Sequence, residues 1–430
     1  MKTIGVGLMG FGTVGAGVVR TLAEHAGLLE SRLGARVVLR RIADLDLDTD
    51  RGVVVDRSLM TTDARALIED PAVDIVVELI GGTGIARDLV TRALEQGKPV
   101  VTANKALLAH HGRDLFDLAA RKKVDLYFGA SVGGGIPIIR ALREGLVANR
   151  IQGIRGILNG TCNYILTRME QEGATFKAAL GAAQKAGYAE ADPGLDIDGH
   201  DTAHKAVILA SLAFGFMMPL EAVHVEGIRG LSDADIAYAR DLGYRIKLLA
   251  VIKGDETGVE VRVHPALVPL GNVLSSVNGV FNAVMVQSDP AGNTLYYGRG
   301  AGRDPTASTV AGDIADVARN LVAGSPCRVP ALSLVQSAPK PRPMADIETR
   351  YYLRMLLLDK PGVFARIASI LGGQGISIAS VLQKEGGEGR HVPVVIMTHQ
   401  AREGRLNAAL DDIVASDVIS GRPVRIRVEE

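Results

Sequence analysis

The segment Gly10-Phe11-Gly12-Thr13-Val14-Gly15 constrains the fold of this chain more than any other stretch. It follows a short apolar run, Thr3 to Leu8, and opens a helical stretch, Ala16 to Leu29. Glycines at this spacing between a strand and a helix allow a tight turn and close backbone approach to a pyrophosphate, which rests on the helix N-terminus. Further strands are expected over Val37 to Ala43, Val73 to Ile80, Lys98 to Thr102 and Val124 to Phe128, with helices between them. The Val73 to Ile80 run is continuously Val/Ile-rich, as in a strand buried on both faces. Strands alternating with helices predict an α/β fold, a Rossmann-type doubly wound parallel sheet.

The character changes after Gly133-Gly134-Gly135-Ile136-Pro137. Helices over Tyr164 to Gln171, Phe176 to Ala186 and Asp201 to Phe214 precede strands over Val259 to Val268, Val280 to Gln287 and Leu295 to Tyr297, which predicts an α+β substrate domain. Residues 303–322 read as a helix returning to the first domain. Prolines 326, 330, 339, 341 and 343 cannot continue a helix or a central strand, so 323–348 reads as an extended linker. Beyond it, strands and helices alternate as βαββαβ, with a Gly-rich hairpin over Glu385 to Arg390: a ferredoxin-like module. The expected domains are 1–135 for NAD(P), 136–302 for substrate and catalysis, and 349–430 as a separate regulatory module.

Charge excludes some partners. Lys+Arg and Asp+Glu are both 48, a balance that points to neither nucleic acid nor an anionic membrane. No apolar run reaches the ~18 residues a membrane span needs. Two cysteines without a Cys-x-x-Cys pattern argue against a disulfide framework and fit a reducing cytoplasm.

The expected cofactor contacts are Gly10, Phe11, Gly12, Thr13, Val14, Arg40, Asp44, Thr102, Lys105 and Gly302. Asp44 ends the second strand, where an acid can hold both ribose hydroxyls of NAD; Arg40 and Arg41 stand nearby and suit the phosphate of NADP. Lys105 sits at a strand end and a helix start, an electrostatically poor place for a cation unless it has a task. Gly187 to Lys205 carries five carboxylates, four in a loop broken by Gly and Pro and the fifth, Asp201, on the helix that follows, one turn before Lys205. Such a loop needs a cation or basic neighbours, and a desolvated lysine beside an acid is a candidate proton donor. The glycines of Ser131 to Pro137 fit either a cation held by carbonyls or an interdomain hinge. His200 and His204 share a helix face, but no third ligand is placed to make a zinc site with them.

Taken in order, these segments resemble homoserine dehydrogenase. The resemblance rests on the glycine fingerprint, Glu78-Leu79-Ile80-Gly81-Gly82, Val101-Thr102-Ala103-Asn104-Lys105, Gly133-Gly134-Gly135-Ile136-Pro137, Gly156 to Thr161 and Gly187-Tyr188-Ala189-Glu190-Ala191-Asp192-Pro193. The tail, with Asp359-Lys360-Pro361-Gly362-Val363, looks like an ACT domain. The resemblance implies NAD(P)-dependent interconversion of L-homoserine and L-aspartate 4-semialdehyde on the way to threonine and methionine, in a cytoplasmic homodimer or larger homo-oligomer, with threonine as the ACT effector. By position it implies Lys205 as proton donor, Lys105 and Asp201 as its assistants, and Glu190 and Asp196, with Lys105, as substrate contacts. It implies sodium on the backbone carbonyls of Val132, Gly134 and Ile136. Many members carry glutamate where this chain has Gly129, so a side-chain ligand there is lost and a carbonyl ligand is kept. The rival readings are a dehydrogenase of another amino acid and a catalytically silent nucleotide sensor. The Asn159-Gly160-Thr161 loop argues against the first, and intact Lys105, Asp201 and Lys205 against the second.

Overall fold

The computed structural model describes residues 1–255, 257–335, 339–383 and 390–430. The hairpin turn expected over 385–390 lies, but for Arg390, outside them. Two compact units form: Met1–Ile154 with His204–Glu221 and Phe281–Pro339, and Arg155–Ala203 with Ala222–Val280 and Lys340–Glu430.

In the first unit, β1 (Lys2–Met9), α1 (Thr13–Glu24), α2 (Ala26–Leu33), β2 (Ala35–Ala43), β3 (Met60–Thr61), α3 (Ala64–Glu69), β4 (Ile75–Glu78), α4 (Ile85–Glu95), β5 (Val100–Thr102), α5 (Lys105–Lys122) and β6 (Leu126–Tyr127) follow in chain order. The sheet runs β3-β2-β1-β4-β5-β6 with all neighbours parallel. The order reverses between β1 and β4, and that crevice is where an open α/β sheet takes its ligand. Ile4, Val6, Leu8, Ile75 and Val77 are buried in one core with α1 and the helix Arg303–Ala323. Each such side chain contributes roughly 1.5–3 kcal/mol. The hairpin of Phe281–Asp289 and Gly292–Arg299 also belongs to this unit.

In the second unit, strand Tyr244–Asp255, not anticipated from the sequence, pairs antiparallel along the whole of Gly258–Pro269. The C-terminal segment has four main strands, Glu348–Leu358, Ile378–Gln383, His391–Thr398 and Val424–Val428, and helices Val363–Gly373 and Glu403–Val414 over a core of their own. It is not set apart. Its last strand lies between Glu348–Leu358 and Gly258–Pro269, parallel to the latter, with Ala266 opposite Arg427. Buried charges close the seam: Arg262, 0% exposed, meets Glu429 at 2.6 Å and Glu260 at 3.0 Å. Arg354 meets Asp235 at 2.7 Å. Even the proline segment takes part, since Val259 N–H donates to Lys340 C=O (2.9 Å) and Arg342 N–H to Val259 C=O (2.8 Å) around Pro341. Proline is tolerated there because its neighbours make the bonds at the strand's edge. Proline density suggested separation; the pairing of strands distant in sequence joins 349–430 to the substrate segments instead.

Candidate active site

Gly10 turns with φ of +96°, and a side chain at Gly15 would sit 2.2 Å from the Gly10 carbonyl. Both positions therefore require glycine. Gly12 differs: among the described residues, no atom beyond its own stretch of chain lies within 4 Å of the place its side chain would occupy. It is also the N-cap of α1 without a side-chain cap, so first-turn N–H groups point outward unsatisfied by a side chain. An open, uncapped helix N-terminus over a glycine turn suits a pyrophosphate.

Asp44 turns its carboxylate inward onto this loop, where Oδ2 accepts the Phe11 N–H and Oδ1 the Asp46 N–H. Arg41 is spent on Asp70, at 2.9 Å. Arg40 lies beside β1, its Cγ 2.9 Å from the place of a Gly5 side chain, five residues before Gly10. The guanidinium that does reach the turn is Arg51, 5.5 Å over the Phe11 ring and 3.9 Å from Asp44, held in place by Asp46 at 3.2 Å and by Thr49 C=O at 2.7 Å. Nothing in the local sequence marks it; the loop that carries it folds back.

At the ends of β4 and β5 a cavity of 290 Å³ opens beside the glycine turn. Val14, Lys105, Gly134, Lys205 and Gly302, all expected at the site, line it together with Leu79, Gly81, Asn104, Ser131 and Thr306. Lys205 is 8% exposed. Thr102 serves the cavity from behind. Its hydroxyl, buried, donates to Glu78 Oε2 (2.6 Å) and accepts the Asn104 N–H (3.0 Å). Glu78 Oε1 takes the N–H groups of Ile80 and Gly81, and Asn104 caps α5 while donating to Gly82 C=O. This network ties the two turns that carry Gly81 and Lys105. A buried carboxylate at the start of α5 also offsets the charge of a lysine placed there.

The loop Gly129–Pro137 runs along the cavity. Thr309 Oγ1 donates to Gly134 C=O at 2.7 Å and Ile138 N–H to Ile136 C=O at 2.8 Å, which leaves each of these oxygens a second lone pair. A side chain at Gly129 has no room, because Asp313 Oδ1 and Oδ2 lie 2.8 and 3.0 Å from its place. The helix Arg303–Ala323 thus delivers a carboxylate where the chain has none, and Gly129 N–H donates to it. Burial pushes Asp313 up to about 7, against the Gly129 N–H and Arg143, which favour the charged form.

In the second unit, the acidic loop has its charges divided. Asp198 is paired with Arg229 at 2.5 Å, and this hydrogen bond lowers its pKa. Asp192 accepts the Gly194 N–H of its own turn. Asn159 donates to Asp196 and to Asp201, and Glu190 is left exposed. Asp201 and Lys205 lie on one helix, His200–Phe214.

Comparison with known proteins follows these features along the whole chain. Residues 137–315 match the family model of homoserine dehydrogenase, 10–129 that of the homoserine dehydrogenase NAD binding domain, and 351–415 the ACT domain. A homoserine dehydrogenase of Pseudomonas aeruginosa is 46% identical over 436 residues, covering 100% of both chains. The crystal structure of a homoserine dehydrogenase from Thiobacillus denitrificans superposes with a TM-score of 0.95 at 46% identity, over 100% of this chain and 99% of that one. A hyperthermophilic archaeal homoserine dehydrogenase in complex with NADPH matches 73% of this chain and 97% of its own, at 29% identity and a TM-score of 0.63.

Proposed function

This chain belongs to the homoserine dehydrogenase family of NAD(P)-dependent oxidoreductases, and from that premise we propose how its residues divide the reaction. The reaction is the interconversion of L-homoserine and L-aspartate 4-semialdehyde, in which the nicotinamide, when bound, supplies or accepts the hydride at C4 of the substrate. The single observation that carries the assignment of roles is the meeting of Lys105 and Lys205 at one cavity beside the uncapped end of α1. Lys205 donates the proton that the aldehyde oxygen needs as the hydride arrives, and takes it back in the reverse direction. Lys105 stabilises the alkoxide charge on the same oxygen, and Asp201, one helical turn before Lys205, orients it. This is general acid catalysis with electrostatic support. Glu190 and Asp196 hold the substrate ammonium, which supplies the positive charge the acidic loop lacks.

The carbonyls of Val132, Gly134 and Ile136, all oxygen donors, suit a sodium ion, with the Asp313 carboxylate next to the same loop. Arg51 takes the 2′-phosphate of NADP, since the Asp44 carboxylate is already held by two backbone N–H groups. In the ACT segment, Gly362 at φ of +89° opens helix Val363–Gly373 without a side-chain cap, and the turn Asp359 to Gly362 is the place for the carboxylate of an effector amino acid, threonine first.

The decisive experiment is NADPH oxidation by L-aspartate 4-semialdehyde with the full chain and with Lys205→Ala. The variant should lose about 10²–10⁴-fold in kcat with cofactor affinity kept. Near-native turnover would remove Lys205 as the proton donor. Titration calorimetry of the full chain with threonine tests the effector reading; absence of heat and of inhibition would reduce the ACT segment to an assembly element.

A further inference from the structure

The turn before helix Gly160–Glu172 spends one side chain three ways. Asn159 is the N-cap, its Oδ1 accepting the Cys162 N–H at 2.8 Å. Its Nδ2 donates to Asp196 Oδ1 at 2.7 Å and to Asp201 Oδ2 at 2.9 Å. Asn159 is 5% exposed and Asp201 4%. The neighbouring residues of the turn grip the same loop: Thr161 Oγ1 donates to Tyr188 C=O at 2.6 Å and Cys162 Sγ to Asp196 C=O at 3.2 Å.

We infer that Asn159 is a positioning residue of the reaction, its amide holding Asp196 and Asp201 side by side as ionised carboxylates. The inference rests on the roles proposed above for those two acids. Two carboxylates close together, one half-buried as Asp196 is and the other buried as Asp201 is, drive one of them to take up a proton. A shared NH₂ group opposes that, because it offers one donor to each and places them at a fixed separation. The remaining charges of the loop are otherwise engaged: Asp198 by Arg229, Asp192 by its own turn, while Glu190 faces solvent and His200 is exposed. Among the good N-cap residues, Ser, Thr and Asp accept the helix N–H as Asn does, but none can also donate twice. Asp at 159 would add a third carboxylate to the pair.

The test is Asn159→Asp in the full-length enzyme, with Asp196→Asn and Asp201→Asn alongside. Asp caps a helix as well as Asn, so the fold should be kept, with the melting temperature only a few degrees lower because carboxylates raised in the folded state lose stability at neutral pH. kcat/KM for homoserine should fall about ten- to hundredfold at neutral pH, with KM for the cofactor unchanged. The acid limb of that profile should move up by about one pH unit or more, since like charges raise carboxylate pKa values. An unmoved acid limb overturns the inference, whether activity is kept or falls together with the melting temperature. If Asn159→Asp does not fold, Asn159→Ser, an uncharged cap lacking the two donors, carries the test, and a wild-type KM for homoserine in it overturns the inference. Wild-type activity in Asp196→Asn and Asp201→Asn would instead sink the parent assignment of roles.

Discussion

Asp313 makes the stability of the first unit depend on pH, and the size of the effect follows from its surroundings. Its carboxylate is buried against Gly129, one N–H donates to it, and its pKa is pushed up to about 7 from 3.8. Below about pH 4 the folded and unfolded chains both hold this proton. Between about 4 and 7 only the folded chain does, so stability falls as pH rises. At 1.36 kcal/mol per pH unit the loss reaches about 4 kcal/mol near pH 7, an upper bound because relaxation and water entry soften burial. Above that pH both states are ionised and the loss is constant. Asp313→Asn keeps the shape and the acceptor for Gly129 N–H but cannot ionise. It should melt close to wild type at pH 4 and several degrees above it at pH 8, as about 1 kcal/mol corresponds to roughly 2–4 °C for a unit of this size. Calorimetric scans of both proteins at a series of pH values between these limits would measure the difference. An equal offset at every pH would refute the reasoning and show that Asp313 is ionised throughout.

Gly12→Ala should fold with an unchanged melting temperature and bind NADPH at least tenfold more weakly, because the added methyl meets no atom of the described residues beyond its own stretch of chain but occupies the approach of the pyrophosphate. Gly15→Ala, whose methyl would meet the Gly10 carbonyl, should lower the melting temperature itself; calorimetry and fluorescence titration separate the two. Arg51→Ala should raise KM for NADPH about ten- to hundredfold and leave KM for NADH nearly unchanged; equal changes would end its role at the phosphate. Glu429→Ala removes one of the acids paired with fully buried Arg262 and should cost about 3–5 kcal/mol of stability in urea unfolding.

The glycine fingerprint, the βα alternation and the βαββαβ pattern of the tail were legible in the sequence because each is a local signal. Turn chemistry, apolar runs and helix starts are written in residues a few positions apart. The same holds for Asp201 and Lys205, whose shared helix fixes their spacing. What tertiary structure alone decided lies in pairs distant along the chain. Asp313 fills the space left by Gly129 across 184 residues. Arg51, farther from Phe11 in sequence than Arg40, reaches its ring. Thr102 gives its hydroxyl to Glu78, and Asn159 gives its amide to two acids far downstream. Strand Val424–Val428 pairs with Gly258–Pro269 in spite of the prolines between them. Sequence spacing encodes backbone conformation, but which side chains share a buried volume is set by how sheets and helices stack, and the need to satisfy each buried charge and donor then selects the partner.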